Sequence, residues 1–172
     1  MQQTIGVAVA IPEPWAGELQ DYRLALGDRT ATMIPTHVTL LPPAVVDPGE
    51  LGKVEAHLAE AAASVDPFRI HLRGTGTFRP VSPVVFVSLA EGISQCEQLA
   101  AAVRSGPLAC DLSFPYHPHV TIAHHLDETA LDRAFDELAS FACRFLVTSF
   151  HLYAHDETAG WRPTHEFRLG EG

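Results

Sequence analysis

Apolar and polar positions alternate over residues 4–11, where small and β-branched side chains dominate, and the pattern predicts a strand ended by Pro12 and Pro14. Residues 15–26 carry Leu19, Tyr22, Leu24 and Leu26 at loose helical spacing, closed by Gly27 and Asp28. Alternation returns at residues 36–41 as a strand that Pro42 and Pro43 stop. A helix follows over 47–64, with Val54, Leu58 and Ala61 on one face and Pro48 near its start. Residues 68–72 form a third strand, leading into a Gly-rich turn at 74–76.

The order then recurs. Residues 84–89 read as a buried strand, and 92–103 as a helix with Ile93, Cys96, Leu99 and Val103 on one face. Residues 118–123 form a strand, and 127–140 a helix that begins at an Asp and spaces Leu131, Phe135 and Leu138 helically. A strand over 145–153, a turn at 156–160 and a strand over 161–169 complete the chain. The two halves, approximately 4–80 and 83–169, read as an internal duplication within a single domain, 1–172. The mixture of elements predicts an α+β fold of two pseudo-symmetric lobes.

The duplication repeats a chemical signal as well as a pattern. His37-Val38-Thr39-Leu40 and His119-Val120-Thr121-Ile122 sit at matching places in the two halves. Chance placement of His, Val and Thr at these abundances gives about 0.06 such triplets in the chain, so two are significant. In a strand, positions i and i+2 share one face and i+1 and i+3 the other. His37 and Thr39 therefore point away from Val38 and Leu40, and His119 and Thr121 away from Val120 and Ile122. With the apolar members in the core, two imidazoles and two hydroxyls face a cleft between the lobes. A neutral imidazole takes a proton from an attacking water or hydroxyl, and a protonated one gives a proton to a leaving alkoxide. Hydroxyls beside them hold the non-bridging oxygens of a phosphodiester.

Length and composition narrow the setting. The chain has 172 residues, 47% apolar and 19% charged, enough to bury a core without a metal or disulfide framework. Its three cysteines have no tight spacing. No apolar run is long enough for a membrane span or a leader segment, so the chain reads as soluble and cytoplasmic, with no membrane partner. The net charge of −10 argues against a broad surface for duplex nucleic acid.

The paired motifs resemble those of the 2H phosphoesterase superfamily, in particular its 2′-5′ RNA ligase-like proteins. Pro118 through Ala123, Gly76-Thr77-Phe78 ahead of Val84 through Val87, and the closing strand from Trp161 resemble that group too. The resemblance implies lobes of antiparallel sheet with helices packed outside, a central cleft and no cofactor or metal. It also implies action on 2′-5′ or 2′,3′-cyclic phosphodiesters of nucleotides or RNA ends. His37 and His119 are then the catalytic acid–base pair, and Thr39 and Thr121 hold phosphate. The acidity favours a nucleotide or short RNA end as partner, met by a monomer.

Residues near the motifs widen the candidate site. Tyr116 and His117 are candidates for substrate contact, and Phe78 and Arg79 for base stacking and phosphate pairing, the alternative for the last two being a turn with a solvated Arg. Arg162 beside Trp161, and Tyr153, are weaker cases of the same kind. Two other readings stand beside the phosphodiesterase: a non-catalytic nucleotide or RNA-end binding module, and a metal hydrolase on the His117, His119, His124 and His125 cluster.

Overall fold

On the two motif strands, Val38, Leu40, Val120 and Ile122 are fully buried, while His37, Thr39, His119 and Thr121 are half-buried. Each apolar side chain contributes about 1.5–3 kcal/mol by leaving water, which fixes the face that the polar members occupy. The structure, a computed structural model, describes residues 2–112 and 114–170. Its elements are β1 (Gln3–Ala10), α1 (Trp15–Leu26), β2 (His37–Val46), α2 (Leu51–Ala63), β3 (Phe68–Thr77) and β4 (Val84–Glu91). They continue with α3 (Ile93–Val103), β5 (His119–His124), α4 (Glu128–Glu137), β6 (Ala142–Val147), β7 (Ser149–Asp156) and β8 (Gly160–Arg168).

The strands form two antiparallel four-stranded sheets in the orders β2-β1-β7-β8 and β5-β4-β3-β6. Each sheet therefore draws strands from both halves of the sequence: β3 lies beside β4, and β7 beside β1. The motif strands β2 and β5 are edge strands and meet each other. Helix α1 packs on β5 and α3 on β2, so each motif strand is backed by a helix from the other half. Helix α4 is closed at its start by Asp127, whose carboxylate accepts the Ala130 N–H at 2.8 Å, a cap worth about 1 kcal/mol.

Several expected boundaries are corrected. Pro42 and Pro43 do not stop β2, because they are exposed on an edge strand and fall where the register jumps from Leu41↔Val7 to Ala44↔Ile5. No ladder hydrogen bond is lost at an open edge or a bulge. Residues 74–76 are not a turn; they continue β3 past a second register jump, between Leu72↔Leu89 and Thr75↔Val87. The single strand expected over 145–153 is two strands in different sheets, parted at Thr148, where the chain crosses between sheets. The helix expected over 127–140 ends at Glu137.

The side chain under the second motif tests this layering. Ile122→Ala removes a fully buried group and is expected to cost about 2–5 kcal/mol, read as a lower urea midpoint with an unchanged slope. An unchanged midpoint contradicts the burial that orients the motif.

Candidate active site

Each motif strand begins at its histidine. The carbonyl two residues earlier thus lies outside the ladder and is free to accept. His37 Nδ1 lies 2.6 Å from the Pro35 carbonyl, and His119 Nδ1 lies 2.6 Å from the His117 carbonyl. A carbonyl only accepts, so the hydrogen sits on Nδ1 in both rings and the neutral ring's Nε2 is left as an acceptor. The two lobes fix the same tautomer by the same local device.

Both imidazoles have pKa values below the ordinary histidine value of 6.5. For His37 the main cause is burial, opposed by the Pro35 hydrogen bond and reinforced by the charge on Arg23. For His119 it is burial again, with charge on His117 and on His37 adding to it. Charge on His37 is the smallest of the effects that disfavour charge on His119.

The surroundings of the two histidines differ. His119 is packed by aromatic rings: Phe78 edge-on at 4.9 Å and Phe86 at 5.1 Å between centroids, with His117 at 5.7 Å. His37 and Thr39 instead open onto a cavity of about 190 Å³ that also touches Gly6, Ala8, Tyr153 and Trp161. Sequence reasoning missed Gly6 and Ala8, while Tyr153 and Trp161, which flank the turn at 156–160, figured there only in the weaker cases.

The other expected site residues fall as follows. Tyr116 donates its hydroxyl to the Thr39 carbonyl at 2.6 Å, and its ring lies 5.5 Å from the Arg104 guanidinium carbon. It ties the second motif segment to the first motif strand, with burial pushing its phenol pKa up. His117 is exposed and holds His119 through its backbone. Phe78 lies against His119. Arg79 is paired by Nη1 with Glu128 at 3.0 Å and Asp132 at 2.8 Å, and its Nε reaches the Thr77 hydroxyl at 3.2 Å. Two carboxylates of α4 thus neutralise the guanidinium expected to meet phosphate. Arg162 is exposed. The His124 and His125 rings lie against each other, tilted by 40° with centroids 3.7 Å apart, and among the described residues no group of three His, Cys, Asp or Glu is placed to hold a metal ion. No helix among them is long and apolar enough to cross a membrane.

Comparison with known proteins follows the same lines. Residues 11–159 match the family model of the 2′-5′ RNA ligase superfamily. A Halalkalibacterium halodurans protein that bears the name of a phosphoesterase is 28% identical over 168 residues, covering 96% of this chain and 97% of the relative. A similarly named protein of Bacillus licheniformis is 28% identical over 148 residues, covering 83% and 85%. Among solved structures, E. coli LigT complexed with 3′-AMP superposes with a TM-score of 0.69 at 22% identity, over 99% of this chain and all of that one. A Thermus thermophilus protein, TT0787, gives 0.65 at 23%, over 97% and 98%. LigT has also been crystallised with NADP+, ATP and phosphate.

The Tyr116 bond generates a prediction that separates positioning from substrate contact. Tyr116→Phe is expected to lose about 1 kcal/mol of stability, seen as a lower urea midpoint. An unchanged midpoint would show that the hydroxyl does not brace the two motifs.

Proposed function

The chain belongs to the 2′-5′ RNA ligase superfamily, a family of phosphoesterases, and we propose that it hydrolyses 2′,3′-cyclic or 2′-5′ phosphodiesters of nucleotides or RNA ends. The observation that carries this reading is the pair of half-buried imidazoles, each with Nδ1–H given to a backbone carbonyl and Nε2 left free. In the proposed step, one neutral imidazole takes a proton from water while the water oxygen bonds to phosphorus. The other, protonated, gives its proton to the ribose oxygen as the P–O bond to it breaks. One water is consumed, the diester becomes a monoester, and the pair ends with its protonation exchanged. Thr39 and Thr121 hydroxyls, one strand residue pair away from the imidazoles, hold the non-bridging oxygens as charge builds on them. The two imidazoles supply both proton transfers, so the step asks for no metal.

The nucleotides found with LigT, a protein of the same fold, agree with a cleft that admits nucleotides. The net charge of −10 favours a small or terminal substrate held in that cleft over a long RNA held on a surface. Arg79 reaches phosphate in this reading only by exchanging the exposed carboxylates of Glu128 and Asp132, which engage its Nη1.

Hydrolysis of nucleoside 2′,3′-cyclic phosphates is expected to persist in EDTA. His37→Ala and His119→Ala are each expected to lower kcat by about 10²–10⁴-fold, and full turnover by both variants rejects the assignment. The pH dependence has a definite sign. Because both pKa values lie below 6.5, the free protein loses its one catalytic proton on the acidic side of neutral. The bell-shaped profile of kcat/KM, which reports the free protein, should therefore have its alkaline limb below the ordinary histidine value of 6.5 and fall again at lower pH when both rings are charged. An alkaline limb above 6.5 contradicts burial as the controlling cause.

A further inference from the structure

The pseudo-symmetry of the two sheets makes their differences informative. Residues paired directly across neighbouring antiparallel strands present side chains to the same face. In the first sheet His37 is paired with Ala10, and Thr39 with Ala8, which is paired in turn with His151. In the second sheet His119 is paired with Ser88, and Thr121 with Phe86, which is paired in turn with Gly76. The place beside the motif threonine is thus a methyl group in one lobe and a benzyl group in the other.

The consequences for space are opposite. The Phe86 ring spreads over Gly76, where a Cβ would come within 2.6 Å of its Cε2. It packs on Phe78 at 4.6 Å and on His117 at 5.2 Å. Aromatic carbon therefore occupies the floor of the cleft on the His119 side. On the His37 side, Ala8 leaves the floor open, and the indole of Trp161 lies on β1 over Gly6, where a Cβ would just touch its Cζ3 at 3.4 Å. His155 braces that indole from its edge at 5.0 Å. The result is the cavity of about 190 Å³ bounded by Gly6, Ala8, His37, Thr39, Tyr153 and Trp161.

Resting on the phosphodiesterase reading, we propose that the cleft has one nucleoside seat, on the His37 side, where a nucleobase stacks on Trp161 above Gly6 and Ala8. The His119 side has room for water and not for a second nucleoside. The substrate is then a mononucleoside or terminal 2′,3′-cyclic phosphate, and a 2′-5′-linked dinucleotide is a poor one. Among the described residues, no Asp, Glu, Asn, Gln, Lys or Arg lines the cavity. The seat thus lacks the amide, carboxylate and guanidinium forks that tell one base edge from another. Stacking tolerates any base, since every base presents a π-face, so adenine and guanine are accepted alike.

The test compares kcat/KM for adenosine 2′,3′-cyclic phosphate, guanosine 2′,3′-cyclic phosphate, the base-free methyl riboside 2′,3′-cyclic phosphate and 2′-5′-linked ApA. The two purine substrates are expected to be equal within a few-fold and to exceed the base-free one by about 10–100-fold, with ApA far below both. In Trp161→Ala, and in Ala8→Phe, which copies the filled lobe, the ratio of base-bearing to base-free turnover should collapse towards one. This ratio is internal to each variant, so partial loss of folded protein cancels. A wild-type ratio near one, a ratio that survives Trp161→Ala, or ApA turned over as well as the cyclic nucleotides overturns the single seat. If no diester is hydrolysed, the phosphodiesterase reading fails. Calorimetric binding of adenosine 2′-monophosphate against ribose 2-phosphate then reads the same ratio without turnover, and equal binding of the two overturns the seat on its own.

Discussion

The hydrogen bond from imidazole Nδ1 to the backbone carbonyl two residues earlier, made once in each lobe at 2.6 Å, is the constraint on which the site depends. It sets the tautomer, leaves Nε2 without a hydrogen and needs no third side chain to orient the ring. Its preconditions reach into the fold. Pro35 and His117 can accept because β2 and β5 start at the histidines and the preceding backbone is off the ladder. The rings face the cleft because Val38, Leu40, Val120 and Ile122 are held in the core on the opposite face.

Burial links this geometry to protonation. Partial withdrawal from water disfavours the charged form of both rings, and charge on His37 disfavours it further on His119. The proposed step needs one ring neutral and the other protonated, so burial moves the pH range in which it can run towards acid. The helices complete the arrangement from behind, since α1 backs β5 and α3 backs β2, and Tyr116 joins the two motif segments through the Thr39 carbonyl.

Much of this was legible in the residues. His37 and His119 stood out because strand parity is a local rule and the same triplet fell at matching places in both halves. Features set by distant chain were not. Pro42 and Pro43 look like a strand end until β2 is known to be an edge strand, which depends on where β1 and β7 lie. Nothing from 142 to 156 is Gly or Pro, so the crossing at Thr148 leaves no local mark. Arg79 looked available because the carboxylates of α4 that hold it are some fifty positions away along the chain. The cavity was hidden for two reasons: its walls come from β1, β2, β7 and β8, and residues such as Gly6 and Ala8 act by being small.

The central claim is that two backbone-held imidazoles converge on one phosphoryl group, and a crystal structure with a bound nucleoside 2′-monophosphate tests it most directly. The account predicts phosphoryl oxygens within hydrogen-bonding distance of Nε2 of both His37 and His119, with Nδ1 of each still on its backbone carbonyl. A phosphoryl group bound elsewhere, or touching one histidine while the other turns away, would contradict it.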